Sequence, residues 1–148
     1  MRSASVSKGA GMNVGILYGS SQKNDGKMKA IAQGLSEGIQ SQGHRVDLID
    51  MNLESGKIVS FYDYLVIGTN NTTFFGGKIP EVVTTFLKGA GTLSGKRCMA
   101  FITSGGVRTM KTLHALMKAM EKEGMFLKKS EVIKKPDLAR AIGKRVQI

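Results

Sequence analysis

Short apolar runs alternate with segments of helical period along this chain, and this alternation limits the fold more than any other feature. Four runs have strand character: NVGILYG, HRVDLID, YLVIG and KRCMAFITSGG, and a fifth strand fits within residues 126–133. Between the runs, apolar residues recur at spacings of three and four, as an amphipathic helix requires. Strands that alternate with helices predict a parallel sheet covered on both faces. We therefore expect an α/β domain with a doubly wound, five-stranded parallel sheet.

The boundaries of the predicted helices follow from local start and stop signals. The first helix begins near Met28 and is stopped by Gly43, and the second carries Pro80 in its first turn. The third helix spans residues 109–124, and the last runs from Pro136 to about residue 145. Residues 51–63 allow a turn or two of helix at most. The alternating run HRVDLID predicts a strand near a sheet edge.

Length and composition set the class of protein. The chain has 148 residues, 41% of them hydrophobic, which suits one domain over residues 13–148. Residues 1–12 are predicted to be a disordered leader or a cloning remnant, without the apolar core of a signal peptide. No apolar segment approaches the roughly 20 residues of a membrane-spanning helix. Cys98 is the single cysteine, which excludes disulfides and favours the cytoplasm.

Positive charge is concentrated in the second part of the chain. The formal net charge is +11: residues 1–95 hold 9 Lys+Arg against 7 Asp+Glu, whereas residues 96–148 hold 13 against 4. Such a basic half attracts an acidic protein, a phosphorylated ligand or nucleic acid, or simply solvates the surface. Nucleic acid is disfavoured because aromatics make up 6% of residues and no basic stretch is interleaved with them.

The loop after the first strand has the character of a phosphate loop. It is not a triphosphate loop, because six residues separate Gly19 from Gly26 and Met28 follows Lys27. A dinucleotide fingerprint is absent, and so are the clustered acids of a phospho-receiver domain. Backbone N–H groups and small hydroxyls at a helix N-terminus can bind a monophosphate without metal. The sequence contains no catalytic triad and no cluster of metal ligands.

Asp25 is the residue in this loop that opposes a phosphate. As an N-cap it would accept the unpaired N–H groups of the helix and would compete for the site that a phosphate uses. Lys23 and Lys27 are placed to offset its charge.

From Asn13 to about Lys144 the chain resembles the flavodoxin family. The matching segments, in order, are ILYGSSQKNDGKMKAIAQGL, YDYLVIG, TTFFGGKIP, LSGKRCMAFITSGG and KKPDLARAIGKRV. The resemblance implies a flavodoxin-like three-layer sandwich that binds FMN, with the first loop on the phosphate and the next two on the flavin ring. The cofactor-binding residues that it implies are Ser20, Ser21, Gln22, Lys23, Asn24, Asp25, Thr73, Phe74, Phe75, Gly76, Ser104, Gly105 and Gly106.

The first two loops depart from the family pattern. Gln22, Lys23 and Asp25 stand where the family has Thr, Gly and Thr, so two phosphate-binding hydroxyls are missing. The segment GTNNTTFFGG also holds a couple of extra residues.

The resemblance implies an electron-transfer protein that shuttles electrons between partner proteins, with FMN supplying the chemistry. The basic charge then predicts an acidic redox partner, and the chain is expected to be a monomer or small homo-oligomer. Two alternatives remain open. One is an FMN-dependent NAD(P)H oxidoreductase that reduces quinones or flavins, and the other is a flavodoxin-fold binding module that has lost flavin.

Overall fold

The computed structural model describes residues 11–22, 25–70, 78–103 and 109–148, and within them the chain forms five strands and four helices. The strands are β1 (Asn13–Gly19), β2 (Arg45–Asp50), β3 (Tyr64–Asn70), β4 (Arg97–Thr103) and β5 (Phe126–Ile133). The helices are α1 (Gly26–Gln40), α2 (Glu81–Lys88), α3 (Thr109–Lys122) and α4 (Pro136–Arg145). Of the predicted leader, only Gly11 and Met12 fall inside the described part.

All five strands are parallel and lie in the order β2-β1-β3-β4-β5. The predicted doubly wound sheet is therefore confirmed, and β2 is an edge strand as its alternating pattern indicated. The chain leaves β1 in one direction to form β2 and later returns to the other side of β1 to form β3. This reversal places the topological switch point between the carboxyl ends of β1 and β3, where ligands of such sheets bind.

Helices cover both faces of the sheet, which gives the three predicted layers. Ile16 and Val66 pack with α1 and α4 in one core, whereas Leu17 and Ile67 pack with α2 and α3 in the other. Neighbouring residues of a central strand thus point into opposite cores, and both cores are apolar. These strands are therefore continuous apolar runs in the sequence. No helix in the described ranges is long and apolar enough to cross a membrane.

The turn or two of helix that the sequence allowed between β2 and β3 does not form, and residues 51–63 form turns instead. Gly56 adopts a left-handed backbone with φ +86°, which interrupts a right-handed helix. Backbone groups of the segment also pair outside it. The N–H of Val59 donates to Ala90 O at 2.9 Å, and Lys96 Nζ donates to the carbonyl oxygens of Ser60 and Tyr62 at 2.7 and 2.6 Å. These tertiary bonds replace the local ones of a helix.

Candidate functional site

The loop from β1 to α1 lies at the switch point, and its described residues are Ser20–Gln22 and Asp25. Asp25 is the N-cap of α1, as predicted. Its backbone is extended, with φ −72° and ψ 98°, and its Oδ1 accepts the N–H of Met28 at 3.0 Å. One of the N–H groups that a helix leaves unpaired at its start is thereby satisfied, which typically stabilises a helix by about 1 kcal/mol.

The second carboxylate oxygen of Asp25 closes the loop. The hydroxyl of Ser20 donates to Asp25 Oδ2 at 2.9 Å, and Ser20 Oγ in turn accepts the N–H of Gln22 at 3.1 Å. Ser20 is 3% exposed, whereas Asp25 is partly buried, so the network lies at the edge of the protein interior. A side-chain carboxylate thus accepts a serine hydroxyl and a helix N–H, the two kinds of donor that would hold a phosphate oxygen here.

Two asparagines hold the loop from opposite sides of β1. Asn52, just beyond β2, accepts the N–H of Ser20 at 2.9 Å and donates to its carbonyl oxygen at 3.0 Å. Asn70, the last residue of β3, accepts the N–H of Ser21 at 3.3 Å and lies 3.4 Å from its hydroxyl. The sequence reasoning missed both residues. Their signal was positional, since each stands at the carboxyl end of a strand that neighbours β1.

A cavity of about 260 Å³ opens beside the loop on the side of β2. It is lined by Tyr18, Ser20, Gln22, Asp25, Gly26, Met28, Lys29, Asp50, Asn52 and Leu53. The pKa of the Tyr18 phenol is raised, first by burial and then by the charges of Asp50 and Glu54. This hydroxyl therefore stays protonated at neutral pH and can donate a hydrogen bond.

A buried hydroxyl on the other side of β1 is unpaired within the described part of the chain. Thr69 lies next to Gly19 in the register of β1 and β3 and is fully buried, and its Oγ1 has no hydrogen-bond partner among the described residues. An unpaired buried hydroxyl costs about 1–3 kcal/mol, so such groups usually meet a water or a ligand. The hydroxyl at the carboxyl end of β3 is therefore available, among the described residues, to form a hydrogen bond with a ligand or a water.

Nine of the predicted site residues lie outside the described residues. They are Lys23, Asn24, Thr73, Phe74, Phe75, Gly76, Ser104, Gly105 and Gly106. The two expected ring-contacting loops are thus untested, and their roles stay predictions. Of the remaining four, Ser20 and Asp25 share the hydrogen-bond network, which Gln22 joins through its backbone N–H, and the side chains of Ser21 and Gln22 are exposed.

The described residues contain no group of His, Cys, Asp and Glu side chains able to hold a metal ion. Cys98 is buried in β4, and burial, with a smaller contribution from Glu121, raises the pKa of its thiol to about 12. Its thiolate is therefore scarce at neutral pH, so the thiol is unreactive.

The donors around Ser20 suit a phosphate monoester in kind and position, and Asp25 opposes it in charge. A phosphate would need the Ser20 hydroxyl and the start of α1, which the carboxylate now engages. The loop therefore fits a phosphate when the Asp25 side chain turns away from Ser20. Lys29 lines the adjoining cavity, and its positive charge would favour that exchange.

Comparison with known proteins identifies the fold. No family model and no curated protein match this chain. Among solved structures, a flavodoxin from the domain Archaea is 19% identical, with TM-score 0.67 and coverage of 90% of this chain and 92% of that one. Flavodoxin 1 from Bacillus cereus is 14% identical, with TM-score 0.69 and coverage of 91% and 99%. A short-chain flavodoxin associated with a non-canonical PDU bacterial microcompartment is 16% identical, with TM-score 0.70 and coverage of 90% and 93%. The fold is therefore flavodoxin-like, as the motifs implied.

Proposed function

We propose that this chain, with its flavodoxin-like fold, binds FMN at the carboxyl ends of β1 and β3 and carries electrons between partner proteins. The observation that carries the proposal is the position and chemistry of the Ser20–Asp25 loop. It opens α1 at the switch point of the sheet, and it presents a buried hydroxyl beside a helix N-terminus. Solved structures with this fold and closely similar lengths include flavodoxins.

Ser20, Ser21 and the start of α1 would hold the phosphate of FMN. Asn52 and Asn70 position these donors, because each bonds the loop backbone from a neighbouring strand. Phe74, Phe75, Gly105 and Gly106 are proposed as contacts of the flavin ring from the resemblance alone. When bound, FMN supplies the electron-carrying chemistry, whereas the protein supplies orientation, exclusion of water and local charge.

The proposal is tested by titrating the purified chain into FMN and into riboflavin while following flavin fluorescence. Riboflavin shares the ring system but lacks the phosphate, so a phosphate-binding loop predicts tighter binding of FMN. Equal affinity for the two flavins would show that the loop does not bind the phosphate of FMN. Unchanged fluorescence with both flavins, confirmed by calorimetry, would overturn FMN binding altogether.

One observation favours a second candidate function, a binding module that has lost flavin. The Asp25 carboxylate satisfies the Ser20 hydroxyl and the Met28 amide internally, so the loop is complete without a phosphate. Under this alternative the loop is a structural cap, and FMN binds neither the wild type nor a variant without the carboxylate.

A further inference from the structure

A second polar cavity lies at the opposite edge of the sheet, where β3 and β5 begin and α4 ends. Its volume is about 300 Å³, at the lower end of the range for small-molecule sites. It is lined by Tyr64, Lys128, Lys129, Arg145, Val146 and Gln147. Three of these six residues are cationic, and none is a carboxylate.

A bulge in β5 brings two consecutive lysines to this cavity. Cys98 of β4 is paired with Leu127, but the next residue, Met99, is paired with Lys129, so Lys128 is the extra residue. Neighbouring residues of a regular strand point to opposite faces, whereas a bulge re-aims a side chain. The irregularity therefore explains how Lys128 and Lys129 line the same cavity.

Tyr64 contributes a buried hydroxyl to the cavity lining. The residue is 1% exposed, and its hydroxyl has no hydrogen-bond partner among the described residues. Burial chiefly raises the pKa of Tyr64 to about 12, against a smaller lowering by the charge of Arg97. The phenol therefore keeps its proton at neutral pH and remains a donor.

The two lining lysines also contact neighbouring side chains. Lys129 Nζ lies 2.9 Å from Glu131 Oε2, and Glu131 lines an adjoining cavity of about 270 Å³ that also includes Lys129 and Arg145. Lys128 Nζ stands 4.9 Å from the centroid of the Phe126 ring. Lysines on an edge strand such as β5 also prevent the strand from pairing with the sheet of another molecule. That role explains why lysines occur here, but it does not explain why a bulge places them beside the Tyr64 hydroxyl.

We propose that this cavity binds the phosphate group of a small molecule, held by Lys128, Lys129 and Arg145 and by a hydrogen bond from the Tyr64 hydroxyl. The ammonium, guanidinium and phenol groups are all donors, and together they match the charge and oxygen atoms of a phosphate. The cavity is at the amino ends of the strands, away from the Ser20–Asp25 loop, so the inference stands apart from the proposed function.

Calorimetric titration with inorganic phosphate, and separately with ribose 5-phosphate, tests the proposal at constant ionic strength set with sodium chloride. Saturable binding of phosphate is expected, with Tyr64→Phe and Lys128→Gln each weakening it about tenfold. Lys122→Gln, which removes an exposed lysine at the end of α3, serves as the matched control and keeps the wild-type affinity. Tighter binding of ribose 5-phosphate would identify a phosphorylated metabolite as the ligand, and equal binding would identify phosphate itself.

Tyr64→Phe also distinguishes phosphate binding at this cavity from phosphate binding at the Ser20–Asp25 loop, because the variant changes only the cavity. Removal of an unpaired buried hydroxyl should leave the melting temperature of the ligand-free protein unchanged or raise it, so any lost binding is not a loss of folding. Wild-type affinity in both Tyr64→Phe and Lys128→Gln would overturn the proposal. Absence of phosphate binding to the wild type would overturn it equally.

Discussion

Asp25 combines two structural roles in one side chain. It caps α1 through Met28, and it holds the buried Ser20 hydroxyl. The first role was predictable, because an Asp just before a helical pattern is a local signal. The second was not, because the burial of Ser20 depends on contacts with Asn52 from a distant part of the chain. A local pattern thus predicted the cap but not the closed network around it.

Replacement of Asp25 by Ala is expected to destabilise the protein by about 1–2 kcal/mol, because α1 loses its cap and the Ser20 hydroxyl loses its acceptor. Urea denaturation measures this change. Asp137→Ala is the matched control: Asp137 also lies in the first turn of a helix, but its side chain is 94% exposed. A destabilisation no larger for Asp25→Ala than for Asp137→Ala would contradict the structural role of the network.

Elements with strong periodicity were predicted from sequence, whereas elements governed by distant contacts were not. All five strands and the four helices of the described ranges appear in the predicted order, because each carries its own apolar pattern. Residues 51–63 form turns and no helix because their backbone pairs with Ala90 and Lys96, which no local pattern shows. The bulge at Lys128 could not be predicted from the sequence either, since it arises from the pairing of β5 with β4.

The contact between α1 and α4 supplies a prediction about helix packing. A Cβ atom on Gly38 would lie 2.8 Å from both the Cα of Gly143 and the N of Lys144, which is closer than real Cβ contacts allow. Gly38→Ala should therefore destabilise the protein by about 1–3 kcal/mol, although Ala favours a helix.

Gly26→Ala, in the same helix, is the control for Gly38→Ala. No atom lies within 4 Å of the position of its Cβ, so this variant should be neutral or slightly stabilising. Thermal denaturation compares the two, and equal melting temperatures would show that α1 and α4 do not pack as closely as described.

The charge of the whole molecule bears on the proposed redox partners. The chain carries +11 overall, most of it in residues 96–148, and an acidic partner is proposed on this ground. Electrostatic attraction accelerates association and is screened by salt.

Reduced, FMN-loaded protein should therefore be oxidised by ferricyanide more slowly as sodium chloride is added, because the reagent is an anion. The cationic reagent hexaammineruthenium(III) is the control, and its reaction should accelerate with salt. Stopped-flow absorbance measures both rates. Rates that do not respond to salt with either reagent would contradict electrostatic steering at the flavin edge.

Competition between the Asp25 carboxylate and the phosphate of FMN for the Ser20–Asp25 loop is the basis of the proposed function. FMN titration of the wild type, Asp25→Thr and Asp137→Thr tests it most directly, because both variants remove one negative charge from the start of a helix. Asp25→Thr is expected to bind FMN about tenfold more tightly than the wild type, whereas Asp137→Thr should bind as the wild type does. Equal affinity in all three proteins, or no FMN binding by any of them, would contradict it.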